Sequence, residues 1–356
     1  MKLSTIPKDF IINASSESGG KVISNFLLHA LKIENDCDES IILKSICLEL
    51  IASGEPVKQV IFQDKSLLNT IKEFAVKATW LDKGFGAKLF LGEEGFFNPE
   101  LYADSMELKP GQQTGIWNEY FIEVYERVLE ELIISVNYIE NSVDHKEQLT
   151  VPLIQYKNKN EYIFPLKGTI STCGNYNSLP EHRQHYSMEF AFDMAQYNEE
   201  QKLCFKENMM EEDYIVYGKD VLAIADGEIV DSYHSFAVTT SWDWEKRWPY
   251  IQKYGLAAQC GNYIVIRHAN EEYSFYGHLI MDSLTVKNGD RVKQGQTIAK
   301  VGHTGLSGCP HLHFQLMNGP DFMAARGLPC SFINIKDAAG RKLGLIQEEN
   351  IIVHAE

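Results

Sequence analysis

HTGLSGCPHLHF, residues 303–314, decides how the C-terminal half of this chain is read. His311 and His313 stand two apart in a segment of strand composition, and side chains at that spacing leave the same face of a strand. Leu312, Phe314 and Leu316 then fall on the opposite face, so one side is suited to burial and the other to work. Two aligned imidazoles on a sheet surface point to a metal site.

The same logic extends upstream. In FAFDMA, residues 190–195, Phe190, Phe192 and Met194 take one face and Ala191, Asp193 and Ala195 the other, which leaves room for an ion beside the carboxylate. His182 and His185 precede this segment, and YGHL, residues 276–279, supplies His278. Imidazole nitrogens with one carboxylate are a donor set that Zn²⁺ prefers, and three protein ligands plus one open position is its catalytic form. His185, Asp193 and His313 make one such set and leave His278 and His311 for proton transfer. Spacing alone leaves open whether His311 and His313 share an ion or divide the labour, since roughly 6.6 Å of strand rise allows either.

Four segments occur in order: FAFDMA, then GKDVLAIADGEIV at 218–230, GNYIVIRHANEEYSFYGHL at 261–279, and VKNGDRVKQGQTIAKVGHTGLSGCPHLHF at 286–314. In this order and wording the chain from about Phe164 to Leu328 resembles the lysostaphin/LytM-type zinc metallopeptidases, peptidase family M23. The resemblance implies a compact antiparallel β structure with Zn²⁺ in a groove on one sheet. It implies metal ligands at the His before the Asp, the Asp and the second His of the HLH pair, here His185, Asp193 and His313, with His182 in reserve for the first position. It implies catalytic roles for His278 and His311, and hydrolysis of a peptide bond, which in family members lies in bacterial cell-wall peptidoglycan. His185 precedes Asp193 by eight residues, as in a longer version of the family motif where a loop leads into an aromatic-Ala-aromatic-Asp strand. On an unbroken strand that even separation would set His185 on the face of Asp193. Cys309, where the family more often has Gly before Pro-His, reads as a small free thiol. No HExxH helix occurs in the sequence, so imidazoles take the place of a Glu base.

Two rival readings go with these motifs. VKNGDRVKQGQTIAKVG also resembles the hairpins of biotinyl and lipoyl carrier domains, but no carrier Lys at a hairpin tip is evident. The other is a non-catalytic family member that binds or regulates cell-wall hydrolases; a complete ligand set favours the enzyme.

A net charge of −16 over 356 residues argues against nucleic acid and anionic surfaces as partners. The 44% hydrophobic and 23% charged fractions are those of an ordinary globular protein long enough for two domains. Seven cysteines without C-x-x-C spacing fit reduced, cytosol-like usage better than a disulfide framework. The N-terminal segment reads without signal-peptide character, and no stretch approaches membrane-spanning length. The default expectation is therefore cytoplasmic, or extracellular or periplasmic if the substrate is the cell wall.

The family resemblance does not reach the N-terminal part. SIILKSICLELIA, VKQVIF and LEELIISVNYI read as strands, and DKSLLNTIKEFAVKATWLDKG has helical spacing from an Asp64 or Ser66 cap to a stop at Gly84. LKPGQQTGIW reads as a turn-rich linker within this part. The expected fold is mainly β: a β-sandwich-like domain with one helix over 1–155, whose role the sequence does not give, packing and spacing being the first reading and substrate docking or partner binding the alternative, then the peptidase-like domain over 156–356. Within the latter, the insertion containing Trp242, Trp244 and Trp248 is expected to pin its own loop, with lining of a substrate groove as the alternative. His268 is expected to be a hydrogen-bonded structural residue, and His234, His303 and His354 to lie in loops or at the surface.

Overall fold

A computed structural model describes residues 1–81, 84–173, 182–198, 200, 202–204, 210–346 and 351–356. It divides the chain into two compact units, Met1–Tyr156 and Lys157–Glu356. Among the described residues no helix is long and apolar enough to cross a membrane.

The first unit is built from two sheets. One pairs Lys21–Glu34 with Lys2–Ile6, Ser16–Ser18 and Gln113–Tyr125; the other runs Ile11–Ile12, Val143–Ile154, Glu131–Glu140, Ile41–Ala52 and Glu55–Gln63, with Glu107–Leu108 on the side. Phe26, Leu28 and Ile116 from the first sheet and Ile46, Leu48 and Ile134 from the second enter one aliphatic core, the arrangement of a sandwich. The helix Asp64–Lys77 adds Leu67 and Ile71 to that core, spaced as its apolar pattern predicts. It starts one residue before the expected cap: Gln63 is the N-cap, and its backbone N–H donates to Ser66 Oγ at 2.9 Å. The helix also ends early, at Lys77, and a separate helix spans Gly84–Leu91, so the unit carries two α-helices where one was expected. The supposed linker contributes a turn at Lys109–Gln112 and then opens the long strand Gln113–Tyr125.

The second unit is an antiparallel sheet whose middle follows the order Gly227–Tyr233, Asn262–Arg267, Tyr273–Leu279, Leu312–Met317, Phe192–Gln196 and Gly168–Cys173. Leu312, Phe314 and Leu316 are fully buried on one face, as their alternation requires. Pairing brings Asp193 opposite His313 on one side, and Gly277 opposite His313 on the other. Three neighbouring strands thus deliver the sheet positions on which the site is built.

Candidate active site

The working face of this sheet floors a groove of about 520 Å³ that touches His182, His185, Asp193, His278, His311 and His313. His313 Nδ1 lies 3.0 Å from Asp193 Oδ1, the direct outcome of their cross-strand register. His182 Nε2 lies 3.5 Å from the other carboxylate oxygen of Asp193, and its ring meets that of His313 edge-on at 4.8 Å. One donor atom from each of His182, Asp193 and His313 falls within 4.8 Å of the others, a group able to hold a metal ion.

The expected first ligand, His185, is not in that group, and the reserve, His182, is. Residues 182–190 form turns, with His185 N–H donating to His182 O at 2.9 Å and Ala191 N–H to Met188 O at 2.9 Å, so strand alternation does not run back from Asp193 to residue 185. The turn is fixed by a buried Arg183–Glu189 ion pair at 3.2 Å and by Gly327, whose N–H donates to Tyr186 O at 3.1 Å. A Cβ on Gly327 would stand 2.6 Å from Ser187 O, so only glycine permits this approach. His185 lines the groove beside the group.

The two remaining imidazoles are held by backbone carbonyls. His278 has φ 61°, outside the extended region, which breaks the alternation of its strand and brings its ring to 4.6 Å from that of His311. Its Nδ1 contacts Thr304 O at 2.7 Å, and since a carbonyl only accepts, Nδ1 carries the proton and Nε2 is left as a base. Gly261 makes this possible: at φ 66° its Cα packs so tightly on Thr304 that a Cβ would lie 2.3 Å from the Thr304 carbonyl oxygen. His311 Nδ1 likewise contacts Cys309 O at 2.7 Å, which turns Nε2 toward Asp193 Oδ1 at 3.4 Å. Cys309 thus contributes its carbonyl, and its thiol is no member of the donor group.

Electrostatics separates these groups. Burial favours a neutral Asp193, but the neighbouring His182 and His311 and the hydrogen bond from His311 outweigh it and hold the carboxyl well below its ordinary range. Burial, then His311 and His313, push His278 well below the usual imidazole value, so it stays neutral. Burial also works to lower His311, yet the Asp193 carboxylate prevails and raises it to about 10.

Sequence reasoning missed Gln315. The alternation that places His311 and His313 continues to it, and its Oε1 lies 2.9 Å from His313 Nε2. The Trp-rich insertion splits its roles: Trp244 and Trp248 pack together at 5.2 Å on the helix Trp244–Tyr254, whereas Trp242 stands 70% exposed at the groove. His268 bonds Asp226 O at 2.9 Å and Ser274 Oγ at 2.7 Å, a structural residue as expected.

An antiparallel sheet thus carries a groove in which three convergent N/O donors, able to hold a metal ion, are flanked by two imidazoles. The model of peptidase family M23 matches residues 213–324. The peptidoglycan DD-endopeptidase ShyC of Vibrio cholerae is 52% identical over 60 residues, 17% of this chain and 13% of that protein. The glycyl-glycine endopeptidase ALE-1 of Staphylococcus capitis is 36% identical over 100 residues, 28% of this chain and 22% of its own. The murein hydrolase activator EnvC of Escherichia coli is 33% identical over 99 residues, 28% of this chain and 18% of its own. Each match thus spans less than a quarter of the relative's length. The catalytic domain of lysostaphin from Staphylococcus simulans aligns over 47% of this chain and 87% of its own at 22% identity, with a TM-score of 0.26. The segment that matches the peptidase family M23 model lies within the Lys157–Glu356 unit.

Proposed function

We propose that the second unit is a zinc-dependent endopeptidase acting on peptide bonds of bacterial peptidoglycan. The observation that carries the reading is the convergence of His182, Asp193 and His313 on one point, with His278 and His311 beside it. Two imidazole nitrogens and a carboxylate held ionised are donors that suit Zn²⁺, and the groove leaves one side of them open. Zn²⁺, when bound, supplies Lewis acidity that polarises a carbonyl and makes a water acidic near neutral pH.

The chain's own residues do the rest. His278, neutral and with Nδ1–H committed to Thr304 O, presents Nε2 as the acceptor of the water proton. His311, with Nδ1–H committed to Cys309 O, is the donor that stabilises the developing oxyanion and returns a proton to the leaving amine. Its raised pKa depends on the Asp193 charge, and a cation sharing that carboxylate draws it back toward the ordinary imidazole range. Trp242 on the rim is placed to pack on the substrate chain.

The names of the relatives support a cell-wall peptide as substrate, and that of EnvC supports the second reading, a non-catalytic regulator of wall hydrolases. The complete set of donors and flanking imidazoles favours the enzyme. Purified peptidoglycan incubated with the protein, before and after chelation, separates the two. Chelator-sensitive release of cleaved cross-links is expected; no cleavage by zinc-replete protein, with stimulation of a separate hydrolase, supports the regulator. We further propose that the first unit, set off near residue 156, serves packing and spacing.

A further inference from the structure

We infer that Gln315 is the positioning residue of the metal site: it sets the tautomer of His313 and braces the turn that carries His182. The side chain is 1% exposed and reaches two partners. Its Nε2 lies 3.0 Å from Ser187 O, and its Oε1 lies 2.9 Å from His313 Nε2. A backbone carbonyl only accepts, so the amide nitrogen of Gln315 must face Ser187 and the amide oxygen must face His313. That oxygen in turn only accepts, so His313 Nε2 carries a proton. In the neutral ring the lone pair then sits on Nδ1, the atom 3.0 Å from Asp193 Oδ1.

Two acceptors facing each other at that distance need a positive charge between or upon them, and the donor group supplies the place for a cation. A ring free to choose would instead keep its proton on Nδ1 and donate it to Asp193, which closes the site to a metal. Gln315 removes that option. Its second bond ties the 182–190 turn to the same strand, so one buried amide sets the spacing between the segments bearing His182 and His313.

This inference rests on the metal-site reading, and its test is read first without metal. In metal-free protein, at a pH where the ring is neutral, side-chain ¹⁵N correlations of His313 should show the proton on Nε2. Gln315→Leu should move it to Nδ1 and weaken Zn²⁺ binding, measured by competition with a chromophoric chelator, by about 10- to 100-fold. Gln315→Glu keeps an acceptor for His313 and should keep the Nε2 proton, with affinity nearer to wild type than that of Gln315→Leu. A wild-type His313 protonated on Nδ1 overturns the inference even if Gln315→Leu does not fold, and so does a folded Gln315→Leu with unchanged tautomer and affinity. Wild type that shows the Nε2 proton yet binds no Zn²⁺ ends the metal-site reading instead.

Discussion

The two units bury polarity differently. In Met1–Tyr156 the buried polar residues are hydroxyls and amides such as Ser24, Asn25, Asn35 and Thr114, and among the described buried residues His29 is the one His, Asp, Glu, Lys or Arg. In Lys157–Glu356 the described buried residues include Arg183, Glu189, Asp213, His268, Glu272, His278, His313 and Arg326. Burying ionisable groups costs stability unless each is paired, so a unit that keeps so many has another use for them. The first unit is organised for packing, and the second holds charged and titratable groups in fixed geometry. The same contrast recurs within the second unit, where Glu272 accepts from Tyr162 at 2.6 Å and Asn160 at 2.7 Å in a network away from the groove.

The sharpest way to break this comparison is to remove a donor. His313→Ala should reduce peptidoglycan cleavage to the background of chelated protein while leaving the melting of the first unit unchanged. His278→Ala should lower turnover about 10²- to 10⁴-fold, as loss of a general base does, with zinc content retained. A loss of zinc in that variant would move His278 from proton transfer to ligation.

In the first unit the expected damage is mechanical. Leu48 is fully buried in the sandwich core, so Leu48→Ala should destabilise that unit by about 2–5 kcal/mol, read by urea titration, with zinc content unaffected.

The smallest effect concerns acid. Burial lowers the folded-state pKa of His268 from 6.5, so below that value the unfolded chain takes up the proton first. The stability present above pH 6.5 is therefore lost as pH falls through the window between 6.5 and the lower folded value. His268→Asn should melt with a shallower acid dependence than wild type over that window. An identical slope would show that His268 is not buried neutral.

What could be read from the sequence follows from strand geometry. Leu312–Met317 is a regular strand, so a period of two set His313 on the face opposite Leu312 and Phe314, while its pairing with Asp193 came from cross-strand register. The same period pointed to Gln315, which went unnoticed because an amide carries no chemistry of its own. The choice between His182 and His185 was not legible, because turns have no period and that segment is set by Arg183–Glu189 and by contact with Gly327. The carbonyls of Thr304 and Cys309, which orient both flanking imidazoles, belong to the backbone and leave no mark on residue identity. In the first unit, Ile41–Ala52 alternates and was legible, whereas Lys21–Glu34 is buried along most of its length and shows no alternation.

The central claim is that His182, and not His185, completes the metal site with Asp193 and His313. Elemental analysis of zinc in purified wild type, His182→Ala and His185→Ala tests it most directly. One zinc per chain in wild type and in His185→Ala, with little in His182→Ala, is the expected result. Full zinc in His182→Ala with loss in His185→Ala would contradict it.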